Sequence, residues 1–394
     1  MAFDFSYYSS TKVCFGKNAE EKVGKLIKEF GGKRVLLHYG AGSAVKSGLI
    51  DRIKNILDSE GIFYAEFGGA VPNPRLSLVY EGIEIGKREN IDFILAVGGG
   101  SAIDSAKAIA YGLGEPEKDV WDLYLHKRTP EKGIPLGAVL TIAAAGSETS
   151  ASSVITKWET GEKRSCNNDM IRPKFAVMNP ELTKTLPDYQ TQSGCADIMM
   201  HTMERYFTNG GNMEITDEIA EGLLRTVMKN ALFLKKDPQN YDARAEVMWA
   251  GSLSHNGLTG LGTNGGDFMS HKIEHELGGM FDVTHGAGLT AVWPSWARYV
   301  YKDCLPRFVK YAVKVMGVKP LENDEETALA GIKAMEDFYK EIGMPINLRE
   351  LGVEPSDEEI EKMAEGCMKA CGKPSGSAKI LDKPDIIEIY KMAR

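Results

Sequence analysis

No run of roughly 20 uninterrupted apolar residues occurs in the chain, which excludes a bilayer-spanning helix of the usual kind. The amino terminus, MAFDFSYYSSTKVCFGK, lacks a basic stretch followed by an apolar core, so it does not read as a secretory signal. Positive charge is not in excess either. With 47 Lys and Arg against 55 Asp and Glu, the formal net charge is −8, which argues against broad attraction to nucleic acid or to an anionic membrane. Cysteine is sparse: Cys14, Cys166, Cys195, Cys304, Cys367 and Cys371 form no CxxC pair and no disulfide framework. Cys367 and Cys371, one helical turn apart, read as plain thiols before a redox pair, which fits a reducing compartment. These absences leave a soluble, cytoplasmic protein with a small molecule as its partner.

At 394 residues the chain exceeds one typical core, so two domains or one large α/β unit are expected. From Lys33 to about Pro180, short β-branched runs alternate with amphipathic ones. KRVLLHYG, IFYAEF, DFILAVGGG, PLGAVLTIAA and FAVMNP read as strands. SAVKSGLIDRIKNILDSEG, NPRLSLVYEGIEIGKREN and SAIDSAKAIAYGL between them read as helices, the pattern of a parallel sheet with crossover helices. VITKWETGEKRSC alternates around a Thr-Gly turn and reads as a hairpin laid on that sheet. After Asp188 nearly every long segment has helical spacing. The expected division is therefore α/β over 1–186 and all-α over 187–394, with no repeat or low-complexity linker between them.

Two glycine turns follow strands in the first part. AVGGGSAIDSAKAIA ends a strand at Gly98, Gly99 and Gly100 and opens a helix at Ser101. Such a turn is either a plain tight turn or a cradle for a diphosphate, whose charge the first helical N–H groups and the helix dipole favour. Its place inside a βαβ alternation favours the cradle. Asp104, three residues after Ser101, fits a reciprocal capping role. The earlier turn, Gly40, Ala41, Gly42 and Ser43, with Lys46 one helical turn on, has no carboxylate where NAD enzymes hold the adenosine ribose. An uncharged, donor-rich turn beside a lysine accepts a 2′-phosphate, so NADP(H) is favoured over NAD(H); a helix-capping loop is the other reading.

Histidine is also scarce, which gives its clustering weight. Of seven, His271, His275 and His285 fall within SHKIEHELGGMFDVTHGAG. A single i, i+4 pair is most often structural. On a separate predicted helix, however, Asp197 and His201 are also four apart and share a face. Neutral imidazoles with a carboxylate are the usual donors of a four-coordinate divalent site. HKIEH is not HExxH, so a zinc-protease reading lacks its glutamate base.

At this point the sequence resembles the group III, iron-dependent alcohol dehydrogenase family, in its butanol dehydrogenase branch. VPNP at 71–74, GGGSAIDSAKAIA at 98–110, TIAAAGSETS at 141–150, SGCADIMMHTMERY at 193–206 and HKIEHELGGMFDVTHGAGLTAVWPSWARY at 271–299 carry the resemblance over essentially the whole chain. It implies a Rossmann-like nucleotide-binding α/β domain and a helical metal-binding domain, as in dehydroquinate synthase, with the active site in the cleft between them. It implies Fe(II) or Zn(II) on Asp197, His201, His271 and His285, and leaves His275 for proton relay or nicotinamide contact. It places Gly99, Gly100 and Ser101, with Asp104 behind them, at the diphosphate and Gly40, Gly42 and Ser43 near the adenosine ribose. Asn73, Thr141, Ser147, Lys163 and Leu182 would follow along the dinucleotide. A homodimer through the edge strand near TKVCFGK is implied as well. Ala145 and Asn179 depart from the common Thr and Asp; the first removes a hydroxyl near the nicotinamide.

The activity expected is hydride transfer between NAD(P)(H) and small primary alcohols or aldehydes such as butanol and butanal. The alternative is an NAD- and metal-dependent cyclase or lyase of dehydroquinate synthase type; a non-enzymatic metal or nucleotide sensor has little support. Met199, Met200, Phe268, Met269, Phe281 and Trp158 could line an apolar pocket, but at this spacing such residues more often belong to the core.

Overall fold

The β-branched runs become the strands of a parallel sheet in the computed structural model, which describes residues 2–394 except 41 and 212. The strands are β1 (Lys12–Phe15), β2 (Arg34–Gly40), β3 (Phe63–Ala70), β4 (Phe93–Gly98), β5 (Leu136–Leu140) and β8 (Phe175–Met178), in the order β1-β8-β5-β4-β2-β3 with every neighbouring pair parallel. β4, FILAVG, is buried along its length, as a strand covered on both faces must be. β2 lies between β3 and β4, so the chain moves one way from β2 to β3 and then crosses back. Ligands of such sheets sit at the carboxyl ends of the strands beside that reversal, where the two glycine turns fall.

Helices α1 (Val23–Glu29), α2 (Ser43–Lys46), α3 (Leu49–Ser59), α4 (Leu76–Arg88), α5 (Gly100–Gly114) and α6 (Trp121–Tyr124) accompany the sheet. Val23, Leu26, Ile27, Ile50, Ile53 and Leu57 pack with Val35, Leu37, Leu95, Val97, Val139 and Val177 in one apolar cluster. The helix read over 43–61 is broken: Gly48, at φ 70°, separates α2 from α3. The hairpin β6 (Ser152–Lys157) and β7 (Glu162–Asn167) forms a two-stranded antiparallel sheet of its own, with β6 against α5, and is not part of the main sheet.

Residues Tyr8–Leu186 form one compact unit; Pro187–Arg394, with the residues before Tyr8, form the other. The second unit consists of α7 (Asp188–Tyr206), α8 (Glu214–Lys236), α9 (Tyr241–His255), α10 (Met269–Phe281), α11 (His285–Val300), α12 (Leu305–Lys314), α13 (Asp324–Glu341), α14 (Leu348–Leu351), α15 (Asp357–Cys371) and α16 (Lys383–Ala393). Its core is aromatic. Phe207 stacks on Phe308 with ring centroids 4.2 Å apart and meets Trp293, Trp296 and Tyr311. Among the described residues no helix is long and apolar enough to cross a membrane.

Candidate functional site

In the helical unit, α7, α10 and α11 bring the predicted donors together. Asp197 and His201 occupy one face of α7, a helix buried along most of its length. Asp197 Oδ1 lies 3.3 Å from His201 Nδ1, 3.6 Å from His271 Nε2 and 3.8 Å from His285 Nε2. Four ligand atoms placed about 2.0–2.1 Å from one ion in a tetrahedron stand about 3.4 Å apart. The spacings from Asp197 are close to that: the ligand atoms of Asp197, His201 and His271 all lie within 4.8 Å of one another, while His285 meets that measure with Glu274 and His275 and reaches Asp197 at 3.8 Å. Asp197 Oδ1, His201 Nδ1 and His271 Nε2 are moreover buried without a hydrogen-bond partner, a cost that an unfilled polar centre bears and a cation removes. The residues present therefore fit a divalent metal.

Glycine makes the approach of α11 possible. A Cβ on Gly286 would stand 2.1 Å from Ser193 O of α7, and one on Gly288 would press on the Glu274 side chain at 2.9 Å. The HGAG stretch thus lets His285 reach Asp197 on one side and Glu274 on the other.

Two carboxylates that the sequence reading missed hold two of the candidate ligand imidazoles. Glu204, fully buried, accepts from His271 Nδ1 and, through Oε1, from the His271 backbone N–H at 3.1 Å. Glu274, also fully buried, accepts from His285 Nδ1. With Nδ1–H donated to a carboxylate, each ring presents the Nε2 lone pair to the centre, the arrangement that fixes tautomer and rotation in carboxylate–histidine–metal triads. His201 is pushed well below its usual range by burial and by neighbouring His255, His271, Arg205 and His285, which keeps it neutral. Burial opposes protonation of His271 too, but the negative charges of Glu204 and Asp197 outweigh it and raise the ring to about 9. A metal entering the site therefore displaces a proton there.

His275, half-buried, stands with its ring 5.8 Å from that of His285 and 6.3 Å from that of His271. It flanks the centre. Two further residues were not anticipated. His255 lies against His201 at 3.9 Å between ring centroids, and the buried Arg205 donates to His255 Nδ1 and to the carbonyls of His201 and Ser254. Because a guanidinium only donates, His255 carries its proton on Nε2. Of the pocket candidates, Met199, Met200 and Met269 are fully buried core. Phe268 lies against Arg205, 5.9 Å from the His271 ring, and Phe281 is half-buried. Trp158 is exposed on the hairpin turn under the Arg75 guanidinium.

In the α/β unit, most residues assigned to the dinucleotide gather at the carboxyl ends of parallel strands. Gly40 ends β2, and Gly42 and Ser43 open α2. Ala41, the centre of that turn, lies outside the described residues. Asn73, at φ 51°, follows β3; Gly99, Gly100 and Ser101 follow β4; Thr141 follows β5, its N–H bonded to Gly98 O; Leu182 follows β8. Lys163 instead sits buried on β7, opposite Thr156, whose N–H binds Pro74 O beside Asn73. The N-cap of α5 is Gly99, which has no side chain to bond the helix start, so among the described residues its first N–H groups remain available to an anion.

The capping role read for Asp104 does not hold. Its carboxylate instead accepts from Ser147 Oγ at 2.5 Å and from Val154 N at 2.9 Å, and the residue before the helix is Gly99. Part of the glycine requirement is also packing. Ideal Cβ atoms on Gly99 and Gly100 would meet Ile142 at 3.0 Å and Ala145 at 3.1 Å.

The iron-containing alcohol dehydrogenase family model matches residues 10–180, and the model of the C-terminal part of the Fe-containing alcohol dehydrogenase family matches 191–394. The chain belongs to the iron-containing alcohol dehydrogenase family. Within it, the chain is 39% identical to NADH-dependent butanol dehydrogenase A of Clostridium acetobutylicum over 388 residues, 98% of either protein. It is 35% identical to the NADPH-dependent aldehyde reductase YqhD of Escherichia coli over 355 residues, 90% of either. The solved structure of NADH-dependent butanol dehydrogenase A from Thermotoga maritima superposes with a TM-score of 0.95 at 38% identity, covering 99% of this chain and 98% of that one. These likenesses place the chain in the butanol dehydrogenase branch, as an NAD(P)-dependent alcohol dehydrogenase or aldehyde reductase, and favour that chemistry over the cyclase or lyase alternative.

Proposed function

We propose that the chain reduces short aldehydes such as butanal, and oxidises the matching primary alcohols, with NADP(H) favoured over NAD(H). Fe(II) or Zn(II) would be held by Asp197, His201, His271 and His285. The observation that carries the reading is the convergence of these four donors, three of their atoms buried and without hydrogen-bond partners. A divalent cation bound there supplies a Lewis acid for the carbonyl group, and a nicotinamide supplies or takes the hydride.

The chain's own residues do the rest. Asp197 contributes the single anionic donor. Glu204 and Glu274 hold the rings of His271 and His285 in the ligand tautomer. His275, beside the centre but outside the donor set, passes the alcohol proton to or from solvent. On the cofactor side, Gly99, Gly100 and Ser101 take the diphosphate at the uncapped start of α5, with Asp104 behind them bracing Ser147. Gly40, Gly42 and Ser43 take the adenosine ribose, and Asn73, Thr141, Ser147, Lys163 and Leu182 follow along the dinucleotide.

The NADP(H) preference is supported by a turn without a carboxylate and with Lys46 in the helix it opens. The relatives are divided, one named for NADH and another for NADPH. A cytoplasmic homodimer pairing through β1, the end strand of the sheet, completes the proposal. The division of the chain into a cofactor domain over 1–186 and a metal domain over 187–394 belongs to the same reading. Steady-state reduction of butanal with NADPH and NADH in parallel tests it. A higher kcat/KM with NADPH supports the full proposal. A preference for NADH overturns the reading of the turn at 40–43, and no oxidation of either cofactor by any short aldehyde overturns the activity.

A further inference from the structure

Lys107 is fully buried on α5, an expensive place for an ammonium unless its hydrogens are all used. They are. Nζ lies 2.7 Å from Ser147 O, 2.8 Å from Ser147 Oγ, 3.0 Å from Ser150 O and 2.6 Å from Ser152 O. Ser152 opens β6; the other acceptors come from the segment between β5 and β6, which has neither helix nor strand over residues 141–151. With no ladder of its own, that segment takes its shape from side chains. Asp104 accepts the Ser147 hydroxyl, and Arg172 donates to Thr149 O at 2.5 Å. The same segment carries Thr141 and Ser147, and its Ile142 and Ala145 lie over Gly99 and Gly100.

We propose that Lys107 is a positioning residue for dinucleotide binding: its ammonium gathers the carbonyls of Ser147, Ser150 and Ser152 and so sets the loop that lies on the Gly99–Ser101 turn. This rests on the dinucleotide assignment made above. Lys107 does not touch the dinucleotide; it acts through the loop.

The charged groups facing Nζ are Asp104 on its own helix, Glu148 on the loop, and Arg172 from the segment before β8. Burial outweighs the two carboxylates and brings the ammonium down to about 8. A neutral amine has one hydrogen fewer and turns a lone pair toward the carbonyls, so the loop loosens as the pH rises through that value.

The test measures the dissociation constants of NADPH and NADH, by nicotinamide fluorescence, for the wild-type chain across pH 7 to 9.5 and for Lys107→Met at pH 7. Hydrogen exchange of the 141–152 amides is followed in both proteins. The expected results are a loss of affinity of about tenfold or more in Lys107→Met, the scale of a lost charged hydrogen bond, with faster exchange confined to that loop. Wild-type affinity should fall as the pH passes 8, and kcat at saturating cofactor should change far less than KM. Should Lys107→Met fail to fold, the wild-type pH series still decides. Unchanged affinity despite a loosened loop, unchanged loop exchange in the folded variant, or a wild-type affinity flat across pH 8 each overturns the proposal. If the wild-type chain binds neither dinucleotide, the cofactor assignment itself falls. Faster loop exchange in Lys107→Met would then mark the lysine as a purely structural clamp.

Discussion

Glu204→Gln isolates the contribution of the carboxylates behind the proposed ligand histidines. Glu204 uses both oxygens on His271: Oε1 accepts the backbone N–H at 3.1 Å, and Oε2 accepts Nδ1–H. Glutamine keeps the volume but has one oxygen, so one of these two donors must face an amide NH2. The buried negative charge that favours Nδ1–H and enriches Nε2 is lost as well. Outer partners of this kind are worth about 10–100-fold in metal affinity, equivalent to about 1.4–2.8 kcal/mol. Competition against a chromogenic chelator should show that loss in Glu204→Gln, and a similar one in Glu274→Gln through His285. Turnover per bound metal should change less than affinity, because the four donors remain. A metal affinity within about twofold of wild type in both variants would refute the argument, since the tethers would then be packing contacts without effect on the ligands.

Three further outcomes are expected. His275→Ala should lower turnover and change its pH profile while leaving metal content intact; full turnover at every pH would end the proton-relay role. Lys46→Ala should reduce the ratio of kcat/KM for NADPH over NADH, and an unchanged ratio would remove the basis for NADP(H) preference. His38, fully buried, donates from Nδ1 to Phe67 O at 2.9 Å and accepts at Nε2 from Ser105 Oγ at 2.6 Å, and burial brings it down to about 4. The unfolded chain takes that proton first, so the contribution of His38 is full above about 6.5 and is lost as the pH falls toward 4, about 3 kcal/mol in all. Urea unfolding at a series of pH values should show a shallower acid decline in His38→Gln than in wild type. Parallel curves would contradict this.

The fold was legible because the strands keep short apolar runs rich in β-branched or aromatic residues and each crossover helix its apolar stripe. What escaped depends on long-range partners. Gly48 breaks a helix at a position where periodicity continues through it. Asp104 has the spacing of a capping residue, yet its partners Ser147 and Val154 come from the loop and hairpin some 43 and 50 residues onward. Lys107 resembles a solvent-facing lysine until that loop folds over it.

The proposed metal donors were legible as Asp-x3-His and a histidine cluster, while the glutamates behind them were not. A buried carboxylate on an imidazole looks, in sequence, like a polar residue on an amphipathic helix. A signal was nonetheless present. Glu204 is three residues after His201 and seven after Asp197, and Glu274 is three after His271, so both share the faces of the ligands. Each then serves a histidine of another helix, Glu204 of α7 for His271 of α10 and Glu274 of α10 for His285 of α11.

The most direct test of the account is metal stoichiometry joined to activity. The purified chain and its Asp197→Ala variant are stripped with chelator, dialysed against Fe(II) or Zn(II), and assayed for bound metal and for butanal reduction. One metal per wild-type chain, none retained by Asp197→Ala, and activity that vanishes on stripping and returns with metal is the predicted result. Full aldehyde reduction by the metal-free chain, or undiminished metal binding in Asp197→Ala, would contradict the claim that Asp197, His201, His271 and His285 form the catalytic metal centre.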